Sequence, residues 1–208
     1  MQGELQGRRL LMTMTRTGRR QKKAQEPATL GDRLKAIRAE RDMTLRDLEI
    51  ASAVSRAMIS KVERGEKSPT FRLLVALASG LGVSTSRLIG ANTSSLETEV
   101  TRKAERVSFR DEETGFQRHL MSPDHPDHKF ELVMHVIPPG RSTGELPVYG
   151  NPTDKYVAIE EGDVQLRIGD DIFDLHEGDA MYFFLNHPYS FTNVSKKRCR
   201  YYIASVAR

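Results

Sequence analysis

Residues 44–65 read TLRDLEIASAVSRAMISKVERG, and this stretch holds the side chains best spaced for chemistry. Leu48, Val54, Ile59 and Val62 recur at a spacing that packs two short helices across a turn. That packing leaves Arg56, Ala57, Ser60 and Lys61 together on the outer face of the second helix. A guanidinium offers a planar fork of donors, an ammonium and a hydroxyl offer more, and an α-helix fits the major groove with its N-terminal residues at the base edges. Ser55 is placed to cap this helix and Gly65 to end it. Glu63 reads as a structural hydrogen-bond or ion-pair partner, and Met58 as partly packed.

Other reactive side chains read more quietly. Cys199 is the single cysteine, so neither an internal disulfide nor a multi-cysteine metal site exists; on its apolar strand it reads as a buried hydrophobe. His125 and His128 lie in a PDHPDH loop and are expected in solvent. His119 and His135 fall at strand positions as surface or core polar groups, and His176 precedes a turn and is expected to be exposed.

The elements that must position these groups divide the chain in two. Residues 1–95 hold 18 Lys and Arg against 9 Asp and Glu, a net of +9; residues 96–208 hold 14 against 19, a net of −5. A basic half joined to an acidic half points to a polyanion-binding module and a second module with another task. Residues 1–28 carry seven Arg and Lys with no helical or strand period, and read as a disordered basic arm. Such an arm either touches the DNA backbone or minor groove or remains a solvated tail. Residues 29–90 read as five helices, over 30–41, 45–52, 56–64, 71–79 and a short one to Ile89, capped in turn by Thr29, Thr44, Ser55, Thr70 and Ser84. Thr44 with Asp47 completes a capping box. Residues 91–98 form a polar linker. Residues 99–208 carry short apolar runs at 100–109, 116–121, 130–137, 156–159, 164–168, 172–175, 180–185, 190–194 and 199–206, with Gly and Asp turns between. Such spacing indicates an antiparallel barrel or sandwich. The fold class is therefore α+β with more than one domain. No apolar run of 18 residues exists, and the run at 10–12 is too short for a secretory segment, so a cytoplasmic location is expected.

Residues 44–65, with EKSPT at 66–70 and LGVS at 81–84, resemble the lambda-repressor-like helix-turn-helix, the XRE family, over roughly residues 30–90. The resemblance implies a five-helix bundle in which Arg56, Ala57, Ser60 and Lys61 face bases, and Arg56 pairs with a guanine. It also implies that Thr44, Ser55, Arg64 and Lys67 contact phosphates. Three positions depart from the family: Ala53 stands where the turn usually has Gly, Glu49 replaces a small residue, and Leu45 replaces a Gln. A left-handed Ala costs roughly 1 kcal/mol.

Residues 138–169 and 175–193 resemble the cupin family, a small double-stranded barrel around a pocket, over about 130–206. Metal-binding cupins place two His and a Glu before the first Gly turn and a further His in a second motif. Here Tyr149 and Asn151 stand at the two His positions, Lys155 at the Glu and Tyr189 at the last His. A protonated Lys does not ligate a metal. The resemblance thus supports the barrel and argues against a metal, and no cofactor is expected. Candidate pocket residues are Asn151, Lys155, Tyr156, His187 and Tyr189, with Arg118 and Arg141 less firmly placed. Lys155 either holds a carboxylate or other anion in the pocket or points to solvent, since a register slip of one residue inverts it.

The leading expectation is a DNA-binding transcription regulator whose barrel binds a small-molecule effector and modulates operator binding. A homodimer follows, because one such motif buries too little surface for tight specific binding. A metal-dependent cupin enzyme of the epoxidase type carrying a helix-turn-helix is the alternative, and a protein-binding scaffold is the third.

Overall fold

The computed structural model describes residues 29–91, 98–124, 130–148 and 152–208. The proposed arm at 1–28 and most of the linker, residues 92–97, lie outside the described residues.

Five helices come first: α1 (Leu30–Glu40), α2 (Leu45–Ser52), α3 (Arg56–Glu63), α4 (Phe71–Gly80) and α5 (Thr85–Ile89). Each starts at a Ser or Thr whose hydroxyl accepts a backbone N–H of the first turn: Thr29, Thr44, Ser55, Thr70 and Ser84. Leu34, Leu48, Ile59, Leu74, Leu77 and Leu88 are fully buried between them. Side chains of this size contribute roughly 1.5–3 kcal/mol each on burial. Two glycines set how closely the helices approach. A Cβ at Gly31 would fall 2.5 Å from the Val62 carbonyl oxygen, and one at Gly80 2.7 Å from the Ser52 Cβ. These contacts press α1 onto the end of α3 and α4 onto α2.

Nine strands follow among the described residues: β1 (Ser108–Arg110), β2 (Gln117–Leu120), β3 (Phe130–Ile137), β4 (Thr153–Glu161), β5 (Val164–Ile168), β6 (Asp171–Leu175), β7 (Ala180–Leu185), β8 (Tyr189–Asn193) and β9 (Cys199–Ala207). They form a six-stranded sheet, β1-β2-β3-β9-β4-β7, and a three-stranded sheet, β6-β5-β8. All ladders are antiparallel. The architecture is two-domain α+β. The apolar run expected as one strand over 100–109 is different: it holds a 3₁₀ turn at Lys103–Glu105 and only the short β1. Residues 102–106 are four charged groups around Ala104, and no apolar alternation is left to bury.

The two sheets enclose an apolar core of Val164, Leu166, Phe191, Tyr201 and Ile137, each fully buried. Cys199 is buried there too, and burial pushes its thiol up to about 12. The helical unit docks on β1–β3 through α4. The Phe71 ring lies 4.5 Å from Phe116 and 6.1 Å from Phe109, and the Phe71 N–H donates to the buried Asp111 carboxylate at 2.8 Å. A carboxylate at the start of a helix also meets its positive end.

Candidate functional site

The α2-turn-α3 unit is fixed by local chemistry. At α2, Thr44 and Asp47 form a reciprocal capping box, the Thr44 N–H donating to the carboxylate at 2.8 Å. Ala53 ends α2 in the left-handed region at φ 57°, the conformation the turn requires. Ser55 then caps α3. Ile59 and Val62 face the core, so α3 cannot rotate to bury its other side. Arg56, Ala57 and Lys61 are exposed and Ser60 half-buried on that other side. Thr44, Ser55, Arg64 and Lys67 are exposed around its two ends.

Glu63 takes the structural role expected of it. Its carboxylate accepts two bonds from Arg38, at 2.7 and 3.0 Å, with both side chains largely buried. Burial works against the Arg38 guanidinium, but the Glu63 bond outweighs it and raises it. Arg64 is held by Glu66 at 2.6 Å and by the Ser60 hydroxyl. Glu49 has a role the sequence did not reveal. Its carboxylate pairs with the Arg56 guanidinium at 2.9 Å and accepts the Arg56 N–H at 3.0 Å. The departure from a small residue at this position therefore ties Arg56 to α2.

A cavity of about 590 Å³ lies between α4, the α4–α5 turn and the inner face of the six-stranded sheet. Register fixes what faces it. Lys155, Ser205 and Glu131 stand side by side across β4, β9 and β3, and Ile159, Tyr201, His135 and Arg118 across β4, β9, β3 and β2. Between them run Val157, Ile203 and Val133. Arg118 is 5 % exposed and bonds Glu131 at 2.7 Å, the Ser86 hydroxyl at 3.1 Å and His135 Nε2 at 3.2 Å. Ser86 of α5 also donates to Glu131. Burial alone would raise the Glu131 carboxyl, but the charge and hydrogen bonds of Arg118, the Ser86 hydroxyl and the more distant Lys155 charge together hold it below the ordinary range. Burial, with Arg118 and Lys155 nearby, holds His135 neutral, well below its usual value. The Lys155 ammonium donates to the Ser205 hydroxyl at 2.9 Å and lies 5.6 Å from the Tyr189 ring centre.

Of the seven pocket residues expected from sequence, the structure brings Lys155, Tyr189 and Arg118 to this cavity. Three are elsewhere. Tyr156 is 52 % exposed and packs at a tilt against Tyr182, ring centres 5.1 Å apart, on the outer face. It follows Lys155 directly, and successive strand residues point to opposite faces. His187 is exposed beside the Gly169 turn. Arg141 is exposed in the turn after β3, where Pro138 and Gly140 carry it away from the sheet. Asn151 lies outside the described residues, as do Tyr149, His125 and His128. Sequence reading had His135 as a surface or core polar group and missed Glu131 and Ser205, which only the β2-β3-β9-β4 register brings together, and Ser86, which reaches Glu131 and Arg118 from α5. Among the described residues no three His, Cys, Asp or Glu side chains are grouped for a metal ion. Of the positions that the sequence resemblance matched to metal ligands, those described hold the Lys155 ammonium, bonded to a hydroxyl, and the Tyr189 phenol; a protonated ammonium does not ligate a metal.

The family model HTH_3, helix-turn-helix, matches residues 34–88. The immunity repressor protein of Bacillus phage phi105 is 27 % identical over 122 residues, covering 52 % of this chain and 85 % of that protein. The HTH-type transcriptional regulator PuuR of Escherichia coli K12 is 24 % identical over 170 residues, covering 82 % of this chain and 90 % of that protein. An HTH_3 family transcriptional regulator from Vibrio cholerae shares the fold with a TM-score of 0.71 at 21 % identity, over 86 % of this chain and 95 % of that one. The chain thus carries, over residues 34–88, a helix-turn-helix domain of the HTH_3 family.

Proposed function

We propose that this protein is a DNA-binding transcription regulator that reads its operator with α3 and answers to a small-molecule effector bound by the barrel. The observation that carries the reading is the outer face of α3. Arg56, Ala57, Ser60 and Lys61 project from a helix whose opposite side is locked by Ile59 and Val62. A rigid helix with cationic and hydroxyl donors at its N-terminal half suits the major groove. Thr44, Ser55, Arg64 and Lys67 flank it as phosphate contacts. The names of the phage repressor and of PuuR support the same reading.

Two copies are needed to read paired half-sites. The outer face of the six-stranded sheet suits a second copy: Leu132, Tyr156, Ala158, Tyr182, Tyr202 and Ala204 line one shallow apolar depression there. An antiparallel sheet facing water would carry polar residues at these places. The barrel serves as sensor and not catalyst, because Lys155 and Tyr189 replace metal ligands. Among the described residues no helix is long and apolar enough to cross a membrane, and a protein that meets the chromosome works in the cytoplasm.

The test is a gel retardation series on DNA from the protein's own promoter region across rising salt. Sequence-selective binding that weakens with salt supports the reading. Equal retention of any duplex, or none, contradicts it. Metal analysis of the purified protein is the companion measurement: stoichiometric iron, zinc or manganese would move the barrel to the enzyme class.

A further inference from the structure

The cavity lies between the two units and not inside the barrel alone, which bears on both what it holds and what the holding does. Resting on the regulator reading above, we propose that this cavity binds a small monocarboxylate on the Lys155 ammonium, and that occupancy fastens α4 and α5 to the six-stranded sheet.

Charge identifies the ligand class. Arg118 is matched by Glu131 at 2.7 Å. Lys155 has no ion pair among the described residues; its contacts are the neutral Ser205 hydroxyl and the face of Tyr189. Asp124 also lines the cavity, but the charges it feels are those of Glu131 and Arg87. The cavity therefore holds one half-buried cation with no carboxylate in direct contact, its field reaching Glu131 only from across the row, and a sheltered charge gains from a hydrogen-bonded partner of opposite sign. A second donor is short of an acceptor: Arg118 Nε is buried with no hydrogen-bond partner among the described residues. A single carboxylate answers the Lys155 ammonium. A dianion such as phosphate would bring a further negative charge to within two strands of Glu131, which shares the row with Lys155 and Ser205. Val133 and Ile203 on the floor, with Val75 and Ala78 on the α4 roof, give an apolar tail its place. The volume, about 590 Å³, is that of a small-molecule site.

Position gives the consequence. Glu131 and Arg118, which line the same cavity, also join α5 to the sheet through their bonds to Ser86. A ligand on Lys155 touches the sheet below and α4 above only while the units are docked. It therefore binds the docked arrangement better and shifts the population toward it.

The experiment uses the full chain and hexanoate, with hexanamide as the neutral isostere and hexylphosphonate as the dianion. Calorimetry is expected to show hexanoate binding, weakened about tenfold or more in hexanamide and in Lys155→Met or Lys155→Gln, and kept in Lys155→Arg. Hydrogen exchange across residues 71–89 is expected to slow with hexanoate. Equal binding of acid and amide, no effect of either neutral Lys155 variant, preference for the phosphonate, or no hexanoate binding overturns the ligand class. Binding without slowed exchange at α4 and α5 overturns the fastening. Retardation assays on the same preparations separate the two readings. A protein that selects its operator yet ignores hexanoate sinks this proposal alone, and one that binds hexanoate yet selects no DNA sinks the regulator reading alone.

Discussion

The outer face of α3 and the cavity beneath α4 both present arginine and lysine, under opposite physical conditions. On α3, Arg56 and Lys61 stand in water on one run of eight residues, and the nearest carboxylate to Arg56 is the half-exposed Glu49. Their charges cost little to keep and act over about a Debye length of 8–10 Å. In the cavity, Arg118 is 5 % exposed and spends its guanidinium on Glu131 and His135 of β3 and Ser86 of α5. The exposed set suits a large, repeating polyanion that arrives from afar. The sheltered set suits a single small anion that must fit. Phe71 joins the two regions, since it opens α4 and packs on Phe116 and on His135 at 5.7 Å.

Removing that joint has the largest expected effect. Phe71→Ala should cost about 3–5 kcal/mol and split thermal unfolding into two transitions, one for each region. A single transition, merely lowered, would show that the regions stay coupled without it. Next, Glu63→Gln strips the buried Arg38 of its charge partner and should cost about 2–3 kcal/mol, felt in helical signal while cavity ligand binding is unchanged.

Acid should strike the cavity more than α3. His135 is held neutral in the fold well below its usual value of 6.5, so the unfolded chain takes up a proton that the folded chain refuses. Its contribution is whole above pH 6.5 and is lost as pH falls below it, by at most about 1.4 kcal/mol per pH unit, readable in urea unfolding at stepped pH. His135→Phe should flatten that slope. The smallest effect is a gain: Ala53→Gly removes a left-handed alanine and should add up to about 1 kcal/mol, with DNA selectivity intact.

The α3 face was legible in the sequence because its causes are local. Thr44 with Asp47, Ser55 and the unusual Ala53 each act within a few residues, and the helix limits they set match the expected ones within a residue. Strands with clear apolar runs were equally legible: β3, β5 and β7 have the expected bounds. The cavity was legible only in part. Lys155, Tyr189 and Arg118 carried a signal through their positions, but facing is decided by register. The inward turn of Lys155 sends Tyr156 outward. Glu131, His135 and Ser205 come together only through the β2-β3-β9-β4 pairings, with β3 and β9 some 70 residues apart in sequence, and no local pattern announces those pairings.

The central claim is that α3 reads base edges with its exposed face. The direct measurement is the affinity of Arg56→Ala and Lys61→Ala for the operator and for a scrambled duplex at one fixed salt concentration. Arg56→Ala should lose about 1–3 kcal/mol on the operator and much less on the scrambled duplex, narrowing the ratio between them. An unchanged ratio in both folded variants would contradict the account.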